Sequence, residues 1–140
     1  SDYSRINVMD SKDLIINKIK KAKTDSSVIM GEEVLDESGK LSKEIINQRP
    51  EACNLLQIYS AISEVSVTET LKSFEGKEFR VLKEVLAETL IQKIFPIGHE
   101  VRKMLYEENY LTGVLEEGAQ KAKGQAEANL KEIKNIIGFI

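Results

Sequence analysis

The sequence is short of the residues on which most site chemistry is built: its 140 residues hold one Cys, Cys53, and one His, His99. A lone cysteine closes no internal disulfide, which fits a reducing cytoplasm. Nor can one Cys and one His assemble a zinc site, because such sites need clustered thiolates and imidazoles at short spacing. A carboxylate metal site is not excluded by that argument, but nothing in the sequence supports one. No run of about 18 apolar residues occurs and nothing at the start reads as a signal peptide, so neither a membrane span nor export is expected. Neither GxGxxG nor GxxxxGK[ST] is present, so the chain by itself has no phosphate-cradling glycine loop. An excess of positive charge is missing too. With 20 Lys+Arg against 23 Asp+Glu and a formal net charge of -3, any nucleic acid must be held by a local patch rather than by bulk attraction.

What is there is helical periodicity over a length suited to one domain. Asp10 or Ser11 can cap a first helix whose Ile15, Ile19 and Ala22 share one face, leaving Asn17, Lys20 and Lys21 outward. Residues 24–48 show no sustained period and carry a Ser38-Gly39 turn signal, so an irregular connection is expected, with one short extended piece at Val28–Met30. In "RPEACNLLQIYSAIS" the pattern returns, with Pro50 in the first helical turn and Leu55, Tyr59 and Ile62 as the stripe. Ser66 and Glu69 have capping-box spacing before a short helix to about Phe74, and Gly76 is its stop. A long helix follows from near Lys77, with Leu82, Leu86 and Leu90 on one face, to be broken or kinked at Pro96. The last helix, about Leu111 to Ile137, repeats Leu115, Ala119, Ala122, Ala126, Leu130, Ile133 and Ile137 at steps of three or four. Its small middle, with Gly118 and Gly124, would let a neighbouring helix approach closely. The expected fold is an all-α bundle of about five or six helices.

Catalytic chemistry has one candidate pair. Cys53 and His99 could act as nucleophile and base, since imidazole lowers a neighbouring thiol's pKa. The plainer reading makes Cys53 a small core residue and His99 an ordinary polar one. The lysines of "NKIKKAK" can form a phosphate-binding strip or simply a solvated helix face.

Three stretches in order, "NKIKKAKTDS", "RPEACNLLQIYSAIS" and "YLTGVLEEGAQKAKGQAEANLKEI", resemble the C-terminal part of the bacterial tryptophanyl-tRNA synthetases, a family of class I aminoacyl-tRNA synthetases. Between the last two, "FEGKEFRVLKEVLAETLIQKIFPI" is similar to that family's glycine-bearing turn, long helix and Pro-Ile break. The resemblance covers nearly the whole chain. It implies that residues 1–10 are the tail of the catalytic Lys-Met-Ser-Lys-Ser loop and a linker, with Ser1 and Asp2 as its remnant, and that residues 11–140 form the helical anticodon-binding domain. A fragment cut within that loop is then expected, inactive alone, with ATP and Mg belonging to the parent enzyme and no cofactor in this part.

The partners so implied are tRNA(Trp) and the parent catalytic domain, in a cytoplasmic homodimer whose interface lies mostly outside this chain, so that the fragment itself can be a monomer. Candidate tRNA-binding residues are Lys18, Lys20, Lys21, Lys23, Lys43, Arg49 and Asn54, each set against the reading of a solvated or locally paired side chain. Cations hold phosphates and carboxylates accept from cytosine when anticodon bases are splayed out. Arg49 and Asn54, at a helix start, can bind phosphate or brace the catalytic loop, or serve local structure. The alternative to a synthetase fragment is a free-standing helical protein-interaction module.

Overall fold

A computed structural model describes residues 2–139; Ser1 lies outside the described residues. Six helices follow in order: α1 (Lys12–Lys21), α2 (Lys43–Gln48), α3 (Pro50–Ser63), α4 (Val67–Phe74), α5 (Phe79–Tyr106) and α6 (Glu108–Ile137). Among the described residues there is no strand, only an isolated antiparallel bridge between Leu35 and Leu41. The fold is all-α, as the periodicity predicts. The chain divides into two compact units, Ser1–His99 and Glu100–Ile140.

The first unit is built on one apolar cluster. Ile15 and Ile19 of α1, Leu55 and Leu56 of α3, Leu71 and Phe74 of α4, and Leu82, Leu86 and Leu90 of α5 are buried together. Each helix contributes the face that its three- and four-residue spacing marks out. Tyr59 and Phe74 add an edge-on aromatic pair with centroids 5.0 Å apart. Caps close the helices as the sequence suggests. Ser11, rather than Asp10, accepts the Leu14 N–H, freeing Asp10 for another task. Ser66 and Glu69 form the full capping box of α4. Pro50 sits in the first turn of α3.

The irregular region holds more order than its sequence predicts. Between residues 24 and 48 lie a short 3-10 turn, Glu32–Val34, and α2, capped by the Ser42 side chain. A six-residue helix spans less than two turns, too few for a period to show. The expected extended piece at 28–30 pairs its backbone with the α4–α5 turn: the Ile29 N–H donates to Lys77 O at 2.9 Å, and the Gly76 N–H to Ile29 O at 3.0 Å. Gly76 has a φ of 72°, the left-handed conformation that stops a helix without Cβ strain.

Two expectations need correction. Of the break or kink expected at Pro96, the break does not occur: α5 runs from Phe79 to Tyr106 with the proline inside. The ring removes one N–H donor on an exposed turn, and the turns on either side keep their own bonds. In the second unit α6 has the expected extent but no buried residue. A Cβ added at Gly118 or Gly124 would meet nothing within 4 Å, so the small residues do not serve a close helix crossing among the described residues.

Candidate functional site

Lysines crowd the end of α1, and the structure gives them different tasks. Lys18 is 3% exposed and turned inward, its Nζ 2.8 Å from Asp10 Oδ2 and 3.4 Å from Asp2 Oδ2. Asn7 donates its backbone N–H to the same Asp10 oxygen at 2.9 Å. Burial alone would raise the Asp10 pKa, but the Lys18 hydrogen bond, the Asn7 N–H and the Lys18 charge outweigh it and hold the carboxyl below its usual value. Lys18 is raised chiefly by that same hydrogen bond, against its own burial. The pair fastens the segment before α1 to the helix, and a buried, paired ammonium is not available to a phosphate arriving from solvent.

Lys20, Lys21 and Lys23 are exposed. Lys21 Nζ lies 4.8 Å from the centre of the Tyr3 ring, and Lys23 pairs with Glu51 at 2.9 Å. Asp2, the expected loop remnant, is exposed and accepts from the Asn7 side chain at 3.2 Å. Lys43 is exposed on the first turn of α2 and Asn54 on the second turn of α3.

Arg49 is taken up locally. Its Nε and Nη2 donate to the two oxygens of Asp25 at 2.8 and 2.6 Å, and Nη2 also reaches Val28 O at 3.0 Å. The guanidinium carbon stands 5.6 Å from the centre of the Phe79 ring. A planar fork that spans both carboxylate oxygens fixes residues 25–28 in one shape. The Arg49 hydrogen bond holds the Asp25 carboxyl below its usual range.

That fixed segment forms one wall of a cleft of about 590 Å³ in the first unit, between the end of α1 and the start of α5. Lys20 lines it from α1, Arg80 and Lys83 from α5, and Ile16, Phe79 and Ala87 supply apolar surface. Lys83 is half-buried and donates to Ala22 O at 2.7 Å and to Thr24 Oγ1 at 3.0 Å. Burial pushes its ammonium pKa down. Of the sequence-stretch candidates only Lys20 lines this cleft; Arg80, Lys83 and Asp25 were not among them. The signal for the two α5 residues was present as cations three apart in "FRVLK", next to a helix start, but sequence does not say what faces them.

Cys53 is 2% exposed and shares its thiol with Ile45 O at 3.6 Å, and burial pushes its pKa up, while His99 is exposed. A buried thiol with a raised pKa is a poor nucleophile, and the core reading of Cys53 accounts for it. Among the described residues no group of three or more His, Cys, Asp or Glu is placed to hold a metal ion, and no helix is long and apolar enough to cross a membrane.

An all-α module with a partly apolar cleft lined by charges of both signs, Lys20, Arg80 and Lys83 beside Glu78 and Glu84, is the class that this geometry defines. No family model matches the chain. It is nevertheless homologous over its whole length to a portion of the bacterial tryptophan–tRNA ligases. It is 36% identical over 140 residues to the tryptophan–tRNA ligase of Rhizobium meliloti (strain 1021), covering all of this chain and 37% of that protein. Identity is 39% to the ligase of Mesorhizobium japonicum, with 37% of it covered, and 38% over 142 residues to that of Rickettsia conorii, with 39% covered. The chain thus spans under two-fifths of the length of these curated relatives.

Proposed function

We propose that this chain is the C-terminal helical part of a tryptophan–tRNA ligase, which joins tryptophan to tRNA(Trp) at the expense of ATP in the cytoplasm, and that it contributes recognition of the anticodon arm. The observation that carries this reading is the similarity along all 140 residues to ligases of which it spans only 37–39%. The remainder of such a parent, including the fold that binds ATP with Mg, the tryptophan pocket and the two lysines of the catalytic loop, has no counterpart in these residues. This part alone is therefore inactive and holds no cofactor. Asp2 and the residues up to Asp10 are the tail of the catalytic loop and its linker, and residues 11–140 are the anticodon-binding domain. The parent is a homodimer through its other portion, and this chain by itself is a monomer.

Net charge is negative, so contact with RNA falls to a local surface. Exposed Lys20, Lys21 and Lys23 at the end of α1, with Lys43 on the first turn of α2 and Asn54 on the second turn of α3, are the residues proposed to hold it. Lys18 and Arg49 support that surface from beneath, one by fastening the segment before α1 and the other by shaping residues 25–28. A salt-controlled titration against tRNA(Trp), and against the same tRNA with its anticodon replaced, tests the proposal. Preference for the native anticodon is expected; equal binding to both overturns it.

A second reading, a free-standing helical interaction module, rests on one observation. Leu115, Ile133, Ile136 and Ile137 of α6 are each more than half exposed, as apolar residues awaiting a partner would be. A chain that ignores RNA and captures a protein through α6 would favour it.

A further inference from the structure

We infer that the cleft between the end of α1 and the start of α5 seats one unstacked nucleotide of a single-stranded RNA loop, with its phosphodiester against Lys20, Arg80 and Lys83 and its base against the exposed side chain of Ile16. The inference rests on the RNA-binding reading and names the site and the ligand within it.

Four observations carry it. A volume of about 590 Å³ is of the size that encloses a small organic ligand. Among the described residues none of Lys20, Arg80 and Lys83 forms an ion pair, although eight ion pairs are made elsewhere in the chain. An ammonium carries three donors, and Lys83 spends two on Ala22 O and Thr24 Oγ1, which aim the group and leave the third proton for a ligand. The wall opposite is pre-shaped, because Arg49 holds Asp25 by both oxygens and Ser27 donates its N–H to Asp25 Oδ1 at 2.9 Å.

The charge balance chooses among anions. Glu78 and Glu84 line the same cleft and offset two of the three cations, while Asp25 is already paired with Arg49, so one positive charge is left over. A single net positive charge is too little for a free, multiply charged phosphate. It suits a group with one negative charge joined to a base that offers amino donors, the mixture a nucleotide within a strand presents. Apolar surface beside the charges matches the face of a base, and unpaired loop nucleotides are the ones free to leave their stack.

A short RNA hairpin reproducing the anticodon arm of tRNA(Trp) is the probe, titrated at several salt concentrations against the wild-type chain, Arg80→Gln, Lys83→Gln and the control Lys40→Gln, which lies outside the cleft. The exposed Arg80 variant keeps the test informative if Lys83→Gln disturbs the Ala22–Thr24 backbone, and circular dichroism checks that each variant is folded. Arg80→Gln and Lys83→Gln are each expected to weaken binding about tenfold and to reduce the salt slope by about one, with Lys40→Gln unchanged. Wild-type affinity and slope in both cleft variants would overturn the cleft and leave the RNA-binding reading standing. If the wild-type chain does not distinguish this hairpin from one with a replaced loop, the reading falls and the cleft proposal falls with it.

Discussion

Lys18 and Asp10 show how a residue that reads as surface charge becomes part of the interior. An ammonium at 3% exposure is tolerable only because a carboxylate stands 2.8 Å away. Asp10 sits below its usual value in the folded chain, so its contribution is complete above the ordinary carboxylate pKa of about 4 and is lost as the pH falls through the lower folded value. The raised Lys18 contributes below the ordinary lysine value and loses its effect as the pH rises through the folded one. Asp10→Asn is therefore expected to lower the melting temperature at pH 7. The deficit should shrink in acid below about pH 4, where wild type gives up the same interaction. A deficit that holds constant down to pH 2 would contradict this account. Arg49→Lys tests the other clasp. Lysine cannot span both oxygens of Asp25, so the amides of Ser27 and Ile29 should exchange faster by hydrogen–deuterium exchange, and unchanged protection would show that the fork is not what orders the segment.

At the scale of elements, legibility followed the length of the local signal. The α4 capping box was readable because Ser66 and Glu69 carry their partners within four residues, and Ser66→Ala should cost about 1 kcal/mol in denaturant unfolding. Core stripes were readable because they repeat over many turns. Leu56 is fully buried, so Leu56→Ala should cost about 2–5 kcal/mol in the same assay, and a loss under 1 would mean that the site collapses around the cavity. Helix α2 was not readable, since its six residues bury only Ile45. Pro96 does not end its helix, because one missing donor does not outweigh the turns around it. The α6 pattern gave the helix correctly and its burial wrongly: periodicity marks a face, not what lies against it. The cleft was least legible of all. Lys83 meets Ala22 across 61 positions, and no local pattern reports such a meeting.

The molecule divides its labour between two units. Every buried apolar side chain in the core lies at or before Leu90, so Ser1–His99 holds a complete core of its own. A chain ended after His99 should still unfold cooperatively, and a gradual, non-cooperative melt would contradict that division. Homology extends through both units, which ties Glu100–Ile140 to the same ligases. Isotope-labelled chain mixed with the anticodon hairpin of tRNA(Trp), followed by NMR amide shifts, is the most direct measurement of the central claim. Shifts concentrated at residues 20–27 and 78–87 are the predicted result. Shifts present equally with a hairpin whose loop is replaced, or absent throughout the chain, would contradict it, whereas shifts confined to other segments would contradict the cleft alone.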